Sequence, residues 1–246
     1  IMNGEKNNNL FNAAVVLAIG IVTAAAIFGW SYSKSKKGDE SITVTGSAKK
    51  RIKSDLIVWS ASITAQSVQI SDAYKQLADN VPKVKKYLID KGIPESQITI
   101  SSITSVQERE KEAYGNQTGK VTGYSLKQSV EVKSNDVEKV SQIAREATEL
   151  INQGIFIESS APQFIYTKLS DLKIEMLAEA AKDAKARAEQ IANSTSSSIG
   201  TVRSAKMGVM QITAADSNEV SDYGMNDTSA LEKDITAVVN VSFAIN

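Results

Sequence analysis

Residues 233–245 read KDITAVVNVSFAI, and the apolar side chains of this stretch fall at every second position. The alternating residues are Ile235, Ala237, Val239, Val241 and Phe243. A period of two is typical of a β-strand that turns one face to the core. Such a strand needs neighbouring strands, and the sequence upstream predicts several of them.

Further strands are predicted where β-branched residues cluster. These stretches cover residues 41–48, 56–65, 98–106, 121–132, 155–166 and 201–212. Helices are predicted after the capping residues Ser71, Asn135 and Ser170, where apolar residues recur every three to four positions. Strands and helices then follow in the order β-β-α-β-β-α-β-α-β-β. This order favours an α+β fold in which three helices pack on largely antiparallel sheets.

Each of the first two predicted helices has an apolar face, which we expect to be buried. The predicted faces are Ala73, Leu77, Val81, Val84 and Leu88 on the first, and Val137, Val140, Ala144, Ala147 and Ile151 on the second. Pro82 lies inside the first helix and predicts a kink.

The third predicted helix is rich in alanine, which allows close packing either on a sheet or on a neighbouring subunit. Both alternatives are open from the residues alone. Ala181, Ala184 and Ala188 are therefore candidate oligomer contacts on this helix. Ile42 and Val44 join them, because they belong to a first strand that we expect at the edge of a sheet.

An uncharged stretch from Leu10 to Trp30, LFNAAVVLAIGIVTAAAIFGW, precedes the strands. As a helix it would span roughly 31 Å, about the thickness of a bilayer core. We predict a membrane anchor, with Leu10, Val15, Leu17, Gly20, Ala24, Phe28 and Trp30 as its lipid-facing or helix-packing residues. The predicted organisation is a tail (1–9), a transmembrane anchor (10–32), a linker (33–40) and one domain (41–246).

Two other interpretations of the apolar stretch are a cleaved signal peptide and a buried helix of a soluble protein. Its orientation in a membrane is ambiguous from charge, since Lys34, Lys36 and Lys37 follow the stretch and only Lys6 precedes it. By the positive-inside rule, this asymmetry alone favours a cytoplasmic domain.

The amino-acid composition of the chain excludes several classes of function. The chain has no cysteine and no histidine, which removes thiol nucleophiles, the commonest general base and the commonest transition-metal ligands. Its formal net charge is zero, so no excess of basic residues predicts nucleic-acid binding. No nucleotide-binding or nucleophile motif is present, and no carboxylate pair stands out. We therefore expect neither an enzyme nor a cofactor.

An acidic stretch from Asp216 to Asp234 is the one candidate for a ligand site. It carries six acidic residues against one lysine. Carboxylate oxygens suit Ca²⁺ or Mg²⁺, although the spacing does not match an EF-hand loop. A solvated loop and a site for a cation or a cationic partner are the two interpretations.

An ordered set of short motifs resembles the SIMPL-domain family, whose members include periplasmic and outer-membrane immunogenic proteins of bacteria. The motifs are Ile42-Thr-Val-Thr-Gly46, Ser54-Asp55-Leu56, Gly92-Ile93-Pro94, Gly123-Tyr124, Val130-Glu131-Val132-Lys133, the Ala-rich stretch 177–188 and the strand 235–245. The resemblance covers about residues 42–245. This chain departs from many members in the turns after the second and third helices.

The resemblance implies an α+β fold, export from the cytoplasm and, in some members, assembly into rings. It carries no accepted catalytic residues. We therefore expect a single-pass protein of the cytoplasmic membrane, with its domain extracytoplasmic, that acts as a non-enzymatic homo-oligomeric scaffold. Its expected partners are lipid and further copies of itself. The alternative is an envelope domain that binds a ligand or cation through the acidic loop 216–234.

Overall fold

The computed structural model describes residues 3–37, 40–111 and 117–246, and the side chains of 14–31, 40–111 and 118–246. Four α-helices lie in these ranges: α1 (Asn3–Lys37), α2 (Ile70–Asp90), α3 (Val137–Glu146) and α4 (Leu169–Ser194). Two 3₁₀ helices cover Glu95–Gln97 and Ala147–Gln153. The three predicted helices are present, but α2 begins after Gln69 rather than Ser71, and α3 is capped by Asp136 rather than Asn135.

Eleven strands lie within the same described ranges. They are β1 (Ser41–Lys53), β2 (Leu56–Ser67), β3 (Ile98–Ile100), β4 (Thr104–Lys111), β5 (Gln117–Ser134), β6 (Ile157–Ser159), β7 (Gln163–Ile165), β8 (Ile199–Met207), β9 (Gln211–Ala214), β10 (Met225–Asn226) and β11 (Glu232–Ile245). They form two sheets whose pairs are antiparallel except for β9 with β10. The expected α+β fold is confirmed.

Two compact units divide the chain. The first contains residues 1–48, 177–208 and 238–246, and the second contains 49–176 and 209–237. The boundary therefore falls within β1, α4 and β11. This division does not test the prediction of a single domain over 41–246, which stays a prediction.

The core of the second unit lies between one six-stranded sheet and the helices α2 and α3. In that sheet β5 lies between β2 and the pair β3 and β4, while β6 and β7 follow one another along the other side of β2. The five residues predicted for the face of α2 are the five that it buries. Trp59 and Ile63 of β2 face them from the sheet, with 1% and 0% of their surface exposed.

The apolar face of the second helix was predicted correctly except at its end. Ile151 is 51% exposed, whereas Leu150 is 1% exposed. The reason is that the α-helix tightens into a 3₁₀ helix at Ala147, so three residues instead of 3.6 complete a turn. The 3₁₀ helix ends at Gly154, whose φ of 77° suits glycine.

Strand β11 keeps the period of two that its sequence predicts. The five alternating apolar residues are all buried. Its first half, Lys233–Thr236, pairs with β9, and its second half, Val239–Ile245, pairs with β8. Strand β1 is its neighbour on the other side and forms the edge of this sheet, as predicted.

Three predicted strands are each interrupted. Residues 98–106 divide into β3 and β4, residues 155–166 contain β6 and β7, and residues 201–212 divide into β8 and β9. In the first case Ser101 breaks the ladder, because its hydroxyl oxygen accepts the Ser129 N–H at 3.0 Å. In the second case Pro162 lies in the interruption and has no N–H to give to a neighbouring strand.

Candidate functional site

Helix α1 presents apolar surface that nothing in the described chain covers. The window Ala14–Ser31 has a mean hydropathy of 2.1, and none of its residues is buried. The predicted anchor residues Val15, Leu17, Gly20, Ala24, Phe28 and Trp30 are all exposed, while the side chain of Leu10 lies outside the described residues. Eighteen helical residues span about 27 Å, close to the thickness of a bilayer core.

The polar group of Thr23 in this window is satisfied within the helix. Its hydroxyl lies 2.8 Å from the Ile19 carbonyl oxygen and 3.0 Å from that of Gly20. A hydroxyl bonded in this way can enter a lipid environment at low cost. By length and composition, α1 is therefore a membrane anchor or a signal sequence. The helix continues to Lys37 and includes part of the predicted linker, of which residues 38 and 39 lie outside the described residues.

The alanine candidates on α4 divide between its two faces. Ala184 and Ala188 have no exposed surface, together with Ala180 and Ala192 at the same four-residue spacing. Ala181 is exposed. In this structure the stripe of alanines thus packs inside the first unit, and Ala184 and Ala188 have no free surface for a second copy. The prediction of an oligomer contact stays a prediction, and Ala181 is the α4 candidate with surface to make one.

The contact between α4 and β1 depends on Gly46. A Cβ atom at this position would overlap the carbonyl oxygen of Ala180 and the backbone nitrogen of Ala184, and would lie 2.6 Å from the Ala184 Cβ. Within the same unit, Asp183 accepts a hydrogen bond of 2.8 Å from the Ser47 N–H. This hydrogen bond is the first cause of the lowered pKa of Asp183. Nearby, Val44 is buried and Ile42 is partly buried.

An ionic cluster surrounds Asp234 in the second unit. The carboxylate is 2% exposed and accepts hydrogen bonds from Arg51 Nε at 2.9 Å and Arg51 Nη2 at 3.1 Å. Lys49 Nζ lies 3.0 Å away, and the Asp216 N–H donates to the same carboxylate at 3.0 Å. The hydrogen bonds from Arg51 are the main reason that the pKa of Asp234 is well below its usual range. Asp234 is therefore a buried anion with its charge balanced.

The residue beside it, Lys233, is buried on the other side of the strand. Its ammonium group is 2% exposed and donates to the Phe164 carbonyl oxygen at 3.0 Å and to the Ala230 carbonyl oxygen. The nearest carboxylate oxygen belongs to Asp227, at 3.7 Å. Burial lowers the pKa of Lys233, and Asp227 opposes that effect only in part.

Both residues belong to the acidic stretch 216–234, but their burial was not predicted. For Lys233 the signal is its position, since it lies two residues before Ile235 and therefore on the same face as the alternating apolar residues. Asp234 lies on the opposite face, so the alternation gives no signal of its burial. A buried charge needs a partner.

Three carboxylates of the acidic stretch 216–234 have partners within the protein. Asp216 lies 2.5 Å from Arg51 Nη2, Asp234 belongs to the same cluster, and Asp227 accepts hydrogen bonds from the N–H groups of Ser229 and Ala230. Among the described residues, no group of three or more acidic side chains is placed to hold a metal ion. The structure thus gives the cation-binding interpretation no formed site.

A cleft of about 650 Å³ lies beside α3 in the second unit. Its lining includes Arg145 and Ser141 of α3, together with Phe164 and Leu231. This volume is within the range of ordinary small-molecule sites. None of these residues was predicted as part of a site, because they come from separate elements and form no motif along the chain.

Comparison with known proteins identifies the domain. The family model described as SIMPL, protein of unknown function (DUF541), matches residues 42–243. The match begins in β1 and ends in β11, so it covers both units. No curated protein matches the chain.

Proposed function

Since the chain belongs to the SIMPL family, we propose that α1 anchors it in the cytoplasmic membrane as a single-pass protein with its domain on the extracytoplasmic side. There it acts as a non-enzymatic scaffold built from several copies of itself. The observation that supports the anchor is the apolar window of α1, none of which is buried. The family resemblance implies that related proteins are exported, which supports an extracytoplasmic domain. The lysine asymmetry, which favours a cytoplasmic domain, is weak.

The edge strand and the outer face of α4 support the homo-oligomer. Strand β1 has β11 on one side only, so its other edge is available for pairing unless side chains cover it. The bond between Asp183 and the Ser47 N–H covers part of that edge. The contact we propose therefore involves the start of β1, around Ile42, together with the exposed Ala181 of α4.

Single-cysteine labelling tests the anchor and its orientation, because the chain has no cysteine of its own. We would compare Asn8→Cys, which precedes the apolar window, with Tyr223→Cys, which is 97% exposed in the domain. In spheroplasts, a membrane-impermeant maleimide should label Tyr223→Cys and should label Asn8→Cys only after lysis. The reverse pattern would place the domain in the cytoplasm.

A charge in the apolar window tests whether α1 stays in the membrane. Gly20→Arg should cost about 2.5–3.5 kcal/mol of insertion and should move the chain out of the membrane fraction. Val220→Arg, at an 80% exposed position of the domain, is the control and should leave fractionation unchanged. A wild-type protein found shortened and soluble would instead identify α1 as a cleaved signal sequence.

The mass of the gently extracted full-length protein tests the scaffold. We expect a discrete multiple of 26.4 kDa. Ala181→Arg and Ile42→Asp should each reduce that mass, whereas Ala186→Arg, on another exposed part of α4, should not. A monomer at tens of micromolar would rule out the scaffold without affecting the anchor.

A further inference from the structure

The cleft beside α3 gathers polar groups that make no side-chain hydrogen bond or salt bridge in the described chain, although the charge of Arg145 also helps to lower the pKa of Glu146. Its lining includes the Arg145 guanidinium and the hydroxyl groups of Ser141, Thr148 and Ser160. None of these four side chains makes a hydrogen bond or an ion pair with another described residue. By contrast, each basic side chain of β1, at positions 49, 50, 51 and 53, has a carboxylate partner. The hydrogen-bonding groups of these four side chains are therefore available to a ligand.

Part of the lining of the same cleft, called the apolar floor below, is apolar. Ala144, Pro162, Phe164 and Leu231 contribute to it, and the last two also pack against the buried core. Their places are fixed by main-chain hydrogen bonds: the Phe164 N–H donates to the Thr228 carbonyl oxygen at 2.7 Å, and the Ser54 N–H donates to the Leu231 carbonyl oxygen at 2.9 Å. The cleft thus joins a cationic, hydroxyl-bearing end to a preformed apolar surface.

We propose that this cleft binds a small monocarboxylate that carries an apolar substituent. The planar guanidinium of Arg145 can hold a carboxylate through two parallel hydrogen bonds, and the neighbouring hydroxyls can donate further bonds. The substituent covers Phe164 and Leu231. A phosphate would leave that apolar floor unused, so the carboxylate is the better match.

Glu138 limits the charge of the ligand. It lines the cleft two helical turns before Arg145, about 10 Å along α3, and pairs with Lys53 at 3.0 Å. A second negative group on the ligand would face this carboxylate. The site therefore selects one anionic group and an uncharged remainder.

A reporter for the cleft is built into the core. The Trp59 Nε1–H donates to Ser159 Oγ at 3.0 Å, and Ser159 lines the cleft. The chain has two tryptophans, of which the other is Trp30 in α1. Trp30→Phe would leave Trp59 as the only indole, and its fluorescence would report changes at Ser159.

The experiment is a titration of the full-length Trp30→Phe protein, held in lipid nanodiscs, with sodium hexanoate. Fluorescence and calorimetry would be followed on the same sample. We expect saturable binding that Arg145→Gln weakens at least tenfold and that Arg145→Lys weakens by less, since lysine keeps the charge but loses the fork. Hexanol, which has the same chain without the carboxylate, should bind at least tenfold more weakly.

Arg203→Gln is the matched control. Arg203 is an exposed arginine of β8 that likewise lacks a partner among the described residues, so its loss should leave hexanoate binding unchanged. The proposal is wrong if Arg145→Gln and Arg203→Gln bind hexanoate equally well while both unfold at the wild-type temperature. It is also wrong if neither method detects saturable hexanoate binding up to about 10 mM, or if hexanol binds as tightly as hexanoate.

Discussion

The two halves of β1 are held in place by different forces. In residues 41–48 a helix approaches so closely that Gly46 has no room for a Cβ atom. In residues 49–53, which read KKRIK, each of the four basic side chains pairs with a carboxylate. The first half depends mainly on close packing, with one hydrogen bond from Ser47 to the Asp183 carboxylate, and the second half depends on ion pairs, although both belong to one continuous strand.

Different solution conditions are expected to act on the two halves. Close packing changes little with salt or pH, because its energy comes from contacts between uncharged atoms. Ion pairs respond to both conditions, and the response grows with burial. Stability measurements on variants of each half, at different salt concentrations and pH values, test this difference.

The largest effect is expected from Gly46→Ala. The added methyl group would meet backbone atoms of Ala180 and Ala184, which cannot rotate away, so α4 must move. We expect a loss of about 3 kcal/mol or more in the free energy of unfolding, measured by chemical denaturation. Gly119→Ala is the control, since a Cβ atom there meets nothing within 4 Å. Equal stability of the two variants would contradict the close approach.

Asp234→Asn should come next. The substitution removes the buried charge that Arg51 and Lys49 share, but both cations are about half exposed and can be solvated. We therefore expect a loss of about 2 kcal/mol, less than for a fully buried pair. Glu219→Gln, at an exposed acidic residue of the same loop, should change stability by less than about 0.5 kcal/mol. Denaturation of the two variants side by side measures the difference.

Acid should destabilise the protein through its lowered carboxylate pKa values. The pKa of Asp234 is below its ordinary value, so its contribution is present above about pH 4 and is lost as the pH falls towards the folded-state pKa. Asp183 acts in the same direction, but its side chain is 33% exposed and its effect should be smaller. The thermal midpoint of Asp234→Asn should therefore fall less between pH 5 and about pH 2 than that of the wild type. Parallel curves would show that Asp234 is not stabilised as an anion.

The smallest effect should come from Lys50→Gln. Lys50 pairs with Glu175 at 2.6 Å, but both side chains are about half exposed. Pairs of this kind contribute about 0.2–1 kcal/mol and weaken with salt. Stability measured at low and at high ionic strength should differ less for Lys50→Gln than for the wild type. A loss as large as that of Asp234→Asn would show that exposure does not separate the two pairs.

The regular parts of the fold could be predicted from sequence because one period runs through them. The face of α2 is correct at all five positions, although Pro82 lies within the helix. The face of α3 fails at Ile151, where a 3₁₀ helix changes the period. Interrupted strands were missed for a similar reason: a hydroxyl at Ser101 and the missing N–H of Pro162 alter the hydrogen bonding without changing the β-rich composition.

The candidate sites were less predictable, because they depend on contacts between distant residues. The apolar helix could be found from residues 10–30 alone, since length and hydropathy are local properties. The burial of Ala184 could not be separated from an exposed contact, because alanine suits both. Arg51 and Asp234 are 183 residues apart, and Arg145 and Leu231 line the same cleft only in the folded chain. Without knowledge of the sheet order, neither pair has a signal along the sequence.

The length of α1 constrains the symmetry of any assembly. The helix continues six residues past Ser31, and only residues 38–40 separate its end from β1. The helix adds about 9 Å and the connection at most about 14 Å, so the start of β1 stays near the bilayer surface when α1 spans it. On the proposed function, α1 crosses the membrane in the same direction in every copy. A two-fold axis in the membrane plane would send the helices to opposite sides, so a closed homo-oligomer of that kind would be cyclic, with its axis along the membrane normal.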